Sequence, residues 1–146
     1  FKIACQYARN LFKYLKIFEY GNSLEEKLEI DKLSQLNYLP NWAIEKLQGK
    51  IDLFVNFISF QEMEPEIVKN YAFHIQRLQP EFLLLRNLKE GKQKQAKGNL
   101  GVKKPILRDD YFAFFDEYKL RASNTIPFGF KTVDGFHSEL MILERK

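Results

Sequence analysis

The feature that most constrains the fold is a strand, a helix and a second strand set within about 35 residues, the signature of a βαβ unit. The stretch "IDLFVNF" at 51 to 57 is nearly continuous apolar sequence after Asp52. That is how a strand covered on both faces of a parallel sheet reads. Pro65 suits the first turn of a helix, and Ile67, Val68, Tyr71, Ile75 and Leu78 recur at helical spacing until Pro80 stops it. "FLLLRN" at 82 to 87 is a second buried run. A crossover helix joins parallel strands, so the fold class is α/β.

The flanking segments extend this framework. Ile3, Tyr7, Leu11, Tyr14, Leu15 and Phe18 lie three and four apart, which predicts a helix from Ile3 to Phe18 ended by Gly21 and Asn22. Ser23 with Glu26 is a capping-box pattern, predicting a second helix over 24 to 34. "NYLP" at 37 to 40 reads as the end of a short edge strand, and "NWAIEKLQG" as a short helix from about Trp42 closed by Gly49. Past the βαβ unit, "DDYFAFFDEY" predicts a short helix packing aromatic rings, with Asp109 or Asp110 near its positive end. Tyr118 to Ser123 and "ELMILER" read as an antiparallel strand pair joined by a long connection that carries an Asp134–Gly135 turn.

Composition removes several classes of function. The chain has 146 residues, 45% hydrophobic and 15% aromatic, which is enough to bury a core as a single domain spanning 1 to 146. No apolar stretch reaches the roughly 18 residues of a membrane span, and the start does not read as a signal peptide, so a cytoplasmic location is expected. One cysteine, Cys5, excludes an internal disulfide and reads as a small buried residue. His74 and His137 stand apart, so no metal site is expected; each reads as structural.

Charge is unevenly spread. From Arg86 to Arg108 there are eight basic residues against one Glu, a local charge of +7, which leaves −3 elsewhere because the whole chain carries +4. Gly91, Gly98 and Gly101 make this segment a polar loop. It could contact the phosphates of a nucleotide-linked sugar, or be simply solvated. A nucleic-acid partner is not expected, because no aromatic side chain is interleaved with the basic ones as a stacking platform.

Ligands of open α/β sheets bind beyond the C-terminal ends of the strands. Ser59, Gln61 and Glu62 follow one such end, and Arg86 and Asn87 close the next. If the strands are neighbours, a carboxylate, an amide and a guanidinium converge on one cleft mouth. Glu62 could then take a proton from a hydroxyl nucleophile, with Gln61 and Asn87 fixing that hydroxyl and Arg86 holding an anionic or polyhydroxylated ligand. Equally, Glu62 and Glu64 could simply cap the following helix, and Arg86 could pair with a nearby carboxylate.

The stretches "DLFVNFISFQEM", "VKNY" and "LLLRNLKEGK" resemble the sugar O-methyltransferase family, enzymes dependent on S-adenosylmethionine with the class I Rossmann-like fold. "SFQEM" after "DLFVN" is the most specific element, and the resemblance covers about residues 36 to 92. It implies the C-terminal part of a Rossmann-like methyltransferase sheet, with helices on both faces and a terminal antiparallel strand pair. Ile51 to Asn56 would be the fourth strand and Phe82 to Arg86 the fifth. It further implies that Asn56, Phe57 and Ser59 border the methyl donor, that Gln61, Met63, Arg86 and Asn87 border a sugar or nucleotide-sugar acceptor, and that Glu62 is the base. Members of the class hold the donor by a glycine-rich loop after the first strand and an acidic residue after the second. Neither is read here, since Gly98 to Gly101 follows the fifth strand. The expectation is a fragment lacking the N-terminal donor-binding half, inactive alone. The rival reading is a non-catalytic α/β binding module whose basic loop takes an acidic partner.

Overall fold

The apolar spacing that begins at Ile3 does build a helix, α1 (Lys2–Leu11), but it stops well short of Phe18. The computed structural model describes residues 2–21, 27–98, 100–124 and 138–146. They fall into two compact units, Phe1–Lys50 and Ile51–Lys146.

In the first unit the buried face of α1 carries the small side chains Cys5 and Ala8, not the large apolar stripe. Ile3, Tyr7 and Leu11 are exposed. After a turn the chain enters a strand, β1 (Ile17–Glu19), so Phe18 belongs to a strand where a helix was expected. The expected helix over 24 to 34 is replaced, among its described residues, by β2 (Leu28–Glu29) and a 3-10 turn, Ile30–Lys32. Its capping box, Ser23 and Glu26, lies outside the described residues. A short strand is present as expected at β3 (Leu36–Tyr38). The helix expected from Trp42 is a 3-10 segment, Asn41–Glu45, followed by β4 (Leu47–Gln48). β1 pairs with β3, and β2 with β4, both in parallel. Tyr20, Leu28 and Ala43 form a small core, with Phe18, Leu39 and Leu47 packed on it.

The second unit is built on a four-stranded sheet of β5 (Leu53–Phe57), β6 (Phe82–Leu88), β7 (Tyr118–Asn124) and β8 (Ser138–Arg145), in the order β5-β6-β8-β7. β5 and β6 run parallel, joined by α2 (Pro65–Arg77), and β8 is antiparallel to both β6 and β7. The α/β class and the terminal antiparallel pair are therefore both present. The connection carrying Asp134, Gly135 and His137 lies outside the described residues.

Alternation along β6 leaves Leu83, Leu85 and Asn87 buried. On this inner face Phe54 stacks on Phe60, and Phe60 on Phe115, which follows α3 (Arg108–Phe114). Val68, Ala72 and Ile75 of α2 are buried, while Ile67 is exposed. Asp110 accepts the Leu107 amide at the start of α3 at 2.8 Å. The outer face differs from expectation. Among the described residues of this unit β5 is the edge strand, and its Leu53, Val55 and Phe57 are about half exposed (50%, 47% and 51%). A continuous apolar run does not distinguish the two cases, because Leu, Val and Phe suit either face of a strand.

Candidate functional site

β5 ends in an abrupt turn. Ile58 has φ 72°, a region that a β-branched residue seldom enters, while its amide donates to the Arg86 carbonyl at 2.7 Å. The chain thereby folds back as a 3-10 turn, Ser59–Glu62, over the end of β6. The parallel register sets Asn56 beside Leu85 and Phe57 beside Arg86. The two strand ends are thus neighbours, as the cleft requires.

The polar residues form a wired cluster. Asn56 Nδ2 donates to Ser59 Oγ at 2.5 Å, and its Oδ1 accepts the Phe60 amide at 3.3 Å. Gln61 spans the two strand ends: its backbone amide donates to Asn87 Oδ1 at 3.3 Å, and its Oε1 accepts the Leu88 amide at 2.6 Å. Asn56, Gln61 and Asn87 are all buried. Gln61 Nε2 reaches Glu62 Oε1 at 3.2 Å, and Lys92 Nζ approaches the same oxygen at 2.9 Å. The Glu62 side chain stays 46% exposed, so a carboxylate sits at the rim of a buried amide network. Asn87 Nδ2 is a buried donor with no hydrogen-bond partner, the kind of group that calls for an acceptor.

Not every candidate joins this cluster. Successive side chains of a strand point to opposite faces, so Arg86 leaves on the outer face, where its Nε donates to Ser138 Oγ at 3.1 Å. Phe57 also lies on the outer face, exposed. Met63 is half-buried just past the turn, its amide on the Phe60 carbonyl. Arg86 and Asn87 are therefore on opposite sides of the sheet.

Glu64 is the N-cap residue of α2, but neither glutamate side chain makes a cap hydrogen bond. Glu64 instead accepts the backbone amides of Lys103 and Lys104 at 2.8 and 3.1 Å. The basic loop is thereby tied to the segment that follows β5. Beside the end of β6 a groove of about 470 Å³ is lined by Lys89, Glu90, Leu107, Arg108 and Asp109. Arg108 is fixed there by Glu139, with Nε 3.0 and 2.9 Å from its two carboxylate oxygens.

Sequence reading missed a second strand-end feature. In the first unit, a groove of about 720 Å³ is lined by Arg9, Glu19, Tyr20, Gly21, Pro40 and Trp42 among others. Glu19 is the last residue of β1, paired with Arg9 at 3.0 Å. Because the apolar spacing reads as helix up to Phe18, this carboxylate does not register as the end of a strand. Among the described residues no cluster of His, Cys, Asp or Glu could hold a metal ion, and no helix is long and apolar enough to cross a membrane. His74 lies on α2 edge-on to Phe73, their ring centres 5.1 Å apart.

No family model and no curated protein matches the chain. Among solved structures it is similar to one described as a "putative type 11 methyltransferase from Sulfolobus solfataricus", at 14% identity and a TM-score of 0.49, over 97% of this chain and 90% of that one.

Proposed function

We propose that the full-length protein transfers a methyl group from S-adenosylmethionine to a sugar hydroxyl. The observation that carries this reading is the wiring at the ends of β5 and β6, where Asn56, Ser59, Gln61 and Asn87 hold Glu62 at an exposed rim. The resemblance of "DLFVNFISFQEM" to the sugar O-methyltransferases adds to it, as do the parallel β5–α2–β6 unit and the closing antiparallel pair.

Glu62 accepts the proton of the attacking hydroxyl, its carboxylate lying at the exposed rim beside the Lys92 ammonium. The Gln61 amide reaches the Glu62 carboxylate, and the buried Asn87 side chain accepts the Gln61 backbone amide and so holds the turn that carries both. Pre-setting such contacts lowers the entropic part of the barrier. Arg86, on the outer face, is left out of this arrangement.

The donor supplies an electrophilic methyl on sulfur. The rival, a binding module without chemistry, draws on the fact that Glu62 is already engaged by Lys92.

The test is transfer of labelled methyl from S-adenosylmethionine to a panel of free and nucleotide-linked sugars, by the wild type and by Glu62→Gln. A general base contributes roughly 100- to 10,000-fold, so the variant should lose about that much turnover while still binding the acceptor. Transfer undiminished in the variant removes Glu62 as the base. No transfer to any sugar, with acceptor binding intact, favours the module.

A further inference from the structure

We infer that the loop from Lys92 to Lys104 holds the diphosphate of a nucleotide-linked acceptor, which deepens the acceptor reading above and rests on it. Lys94, Lys97, Lys103 and Lys104 are exposed, and among the described residues none of their ammonium groups is paired with a carboxylate. The described ends of the loop are joined by backbone hydrogen bonds. Gln95 donates to the Val102 carbonyl at 2.8 Å and Val102 to the Gln93 carbonyl at 3.1 Å, which brings Lys94 alongside Val102 and hence near Lys103. Val102 and Ile106 are buried anchors.

Its two acidic attachments both come from the segment after β5. Glu62 holds Lys92, and Glu64 holds the Lys103 and Lys104 amides. The loop that carries these four lysines is thereby fastened, at Lys92 and at the Lys103 and Lys104 amides, to the segment that bears the candidate base. Clustered like charges repel each other, and a polyanion relieves that repulsion. Lysine ammoniums are point charges suited to phosphate. A free sugar offers them nothing to neutralise.

The experiment follows backbone amide resonances during titration with inorganic pyrophosphate, UDP-glucose, glucose and a single-stranded oligonucleotide, with no methyl donor present. Pyrophosphate and UDP-glucose should shift amides within the loop, and glucose should leave them still. Replacing Lys94, Lys97, Lys103 and Lys104 by Ala should weaken pyrophosphate about tenfold or more, and added salt should do the same in the wild type. The control Lys13→Ala/Lys16→Ala, in the first unit, should change nothing.

Loop amides that ignore pyrophosphate, or equal affinity in the wild type and the loop variant, overturn the inference. So does an oligonucleotide that binds through the same amides more tightly than UDP-glucose, since it assigns the loop to nucleic acid. Pyrophosphate bound at the loop with no methyl transfer to any sugar overturns the methyltransferase reading and leaves the phosphate site standing. Equal transfer to free and nucleotide-linked sugars overturns the loop's role alone.

Discussion

Gln61 is the residue on which the candidate site most depends, and Gln61→Leu isolates what it does. Leucine keeps most of the volume and the backbone amide bond to Asn87, but removes the oxygen that accepts the Leu88 amide at 2.6 Å. A polar group left without a partner costs about 1–3 kcal/mol. The lost contact to half-exposed Glu62 adds little. The sum is about 2 kcal/mol, which for a chain of 146 residues lowers the melting temperature by about 4–8 °C. Glu62→Gln, one residue on, breaks only an exposed ion pair and should cost under about 1 kcal/mol. Urea denaturation gives the two stabilities, and amide exchange gives the location: Leu88 should lose protection in Gln61→Leu and keep it in Glu62→Gln. If the two variants are equally stable, or Leu88 stays protected in both, Gln61 does not tie the strand ends together and Glu62 is positioned by something else.

Tyr118 donates to the Pro80 carbonyl at 2.7 Å, and burial pushes its hydroxyl up to about 12. The neutral form is favoured in the folded state, so stability is full below the unfolded value near 10 and falls as pH rises from about 10 towards 12. Burial raises Tyr111 in the same direction. Tyr118→Phe should flatten the alkaline fall in a pH series of urea midpoints, at a cost of about 1 kcal/mol at neutral pH. Gly91 has φ +78°, and an added Cβ would lie 2.7 Å from the Ile106 carbonyl oxygen. Gly91→Ala should therefore cost about 1–3 kcal/mol by the same denaturation assay. Glu64→Ala should leave global stability within about 1 kcal/mol while speeding amide exchange at Lys103 and Lys104, because that carboxylate is their acceptor.

The sequence carried the βαβ unit clearly. Pro65 and Pro80 bracket α2, and both flanking runs are strands in parallel register. The closing strands were legible from alternation in 118 to 123 and from the apolar "LMIL". The first fifty residues were not. Leu11, Tyr14, Leu15 and Phe18 keep a helical spacing with no Gly or Pro between them, so nothing local marks the end of α1 at Leu11. Strands of two and three residues, such as β2 and β1, are too short to show a period. Within the site, Gln61 and Asn87 were legible as neighbours because the strands adjoin. Arg86 and Asn87 are consecutive in β6 and so point to opposite faces, which separates them across the sheet. The tethering of the basic loop by Glu64 could not be read, since it joins groups some 40 residues apart through backbone amides that have no sequence signature.

Ile58 gives these contacts a mechanical property. Its amide is the last rung between β5 and β6, and its positive φ is the bend that throws Ser59 to Glu62 back across the sheet. Such a backbone stores about 1–3 kcal/mol, released only when its surroundings let go. Rung and bend share one residue, so they trip together like a catch. The turn that carries Ser59 to Glu62 and the Ile58–Arg86 bond to β6 thus meet at one residue.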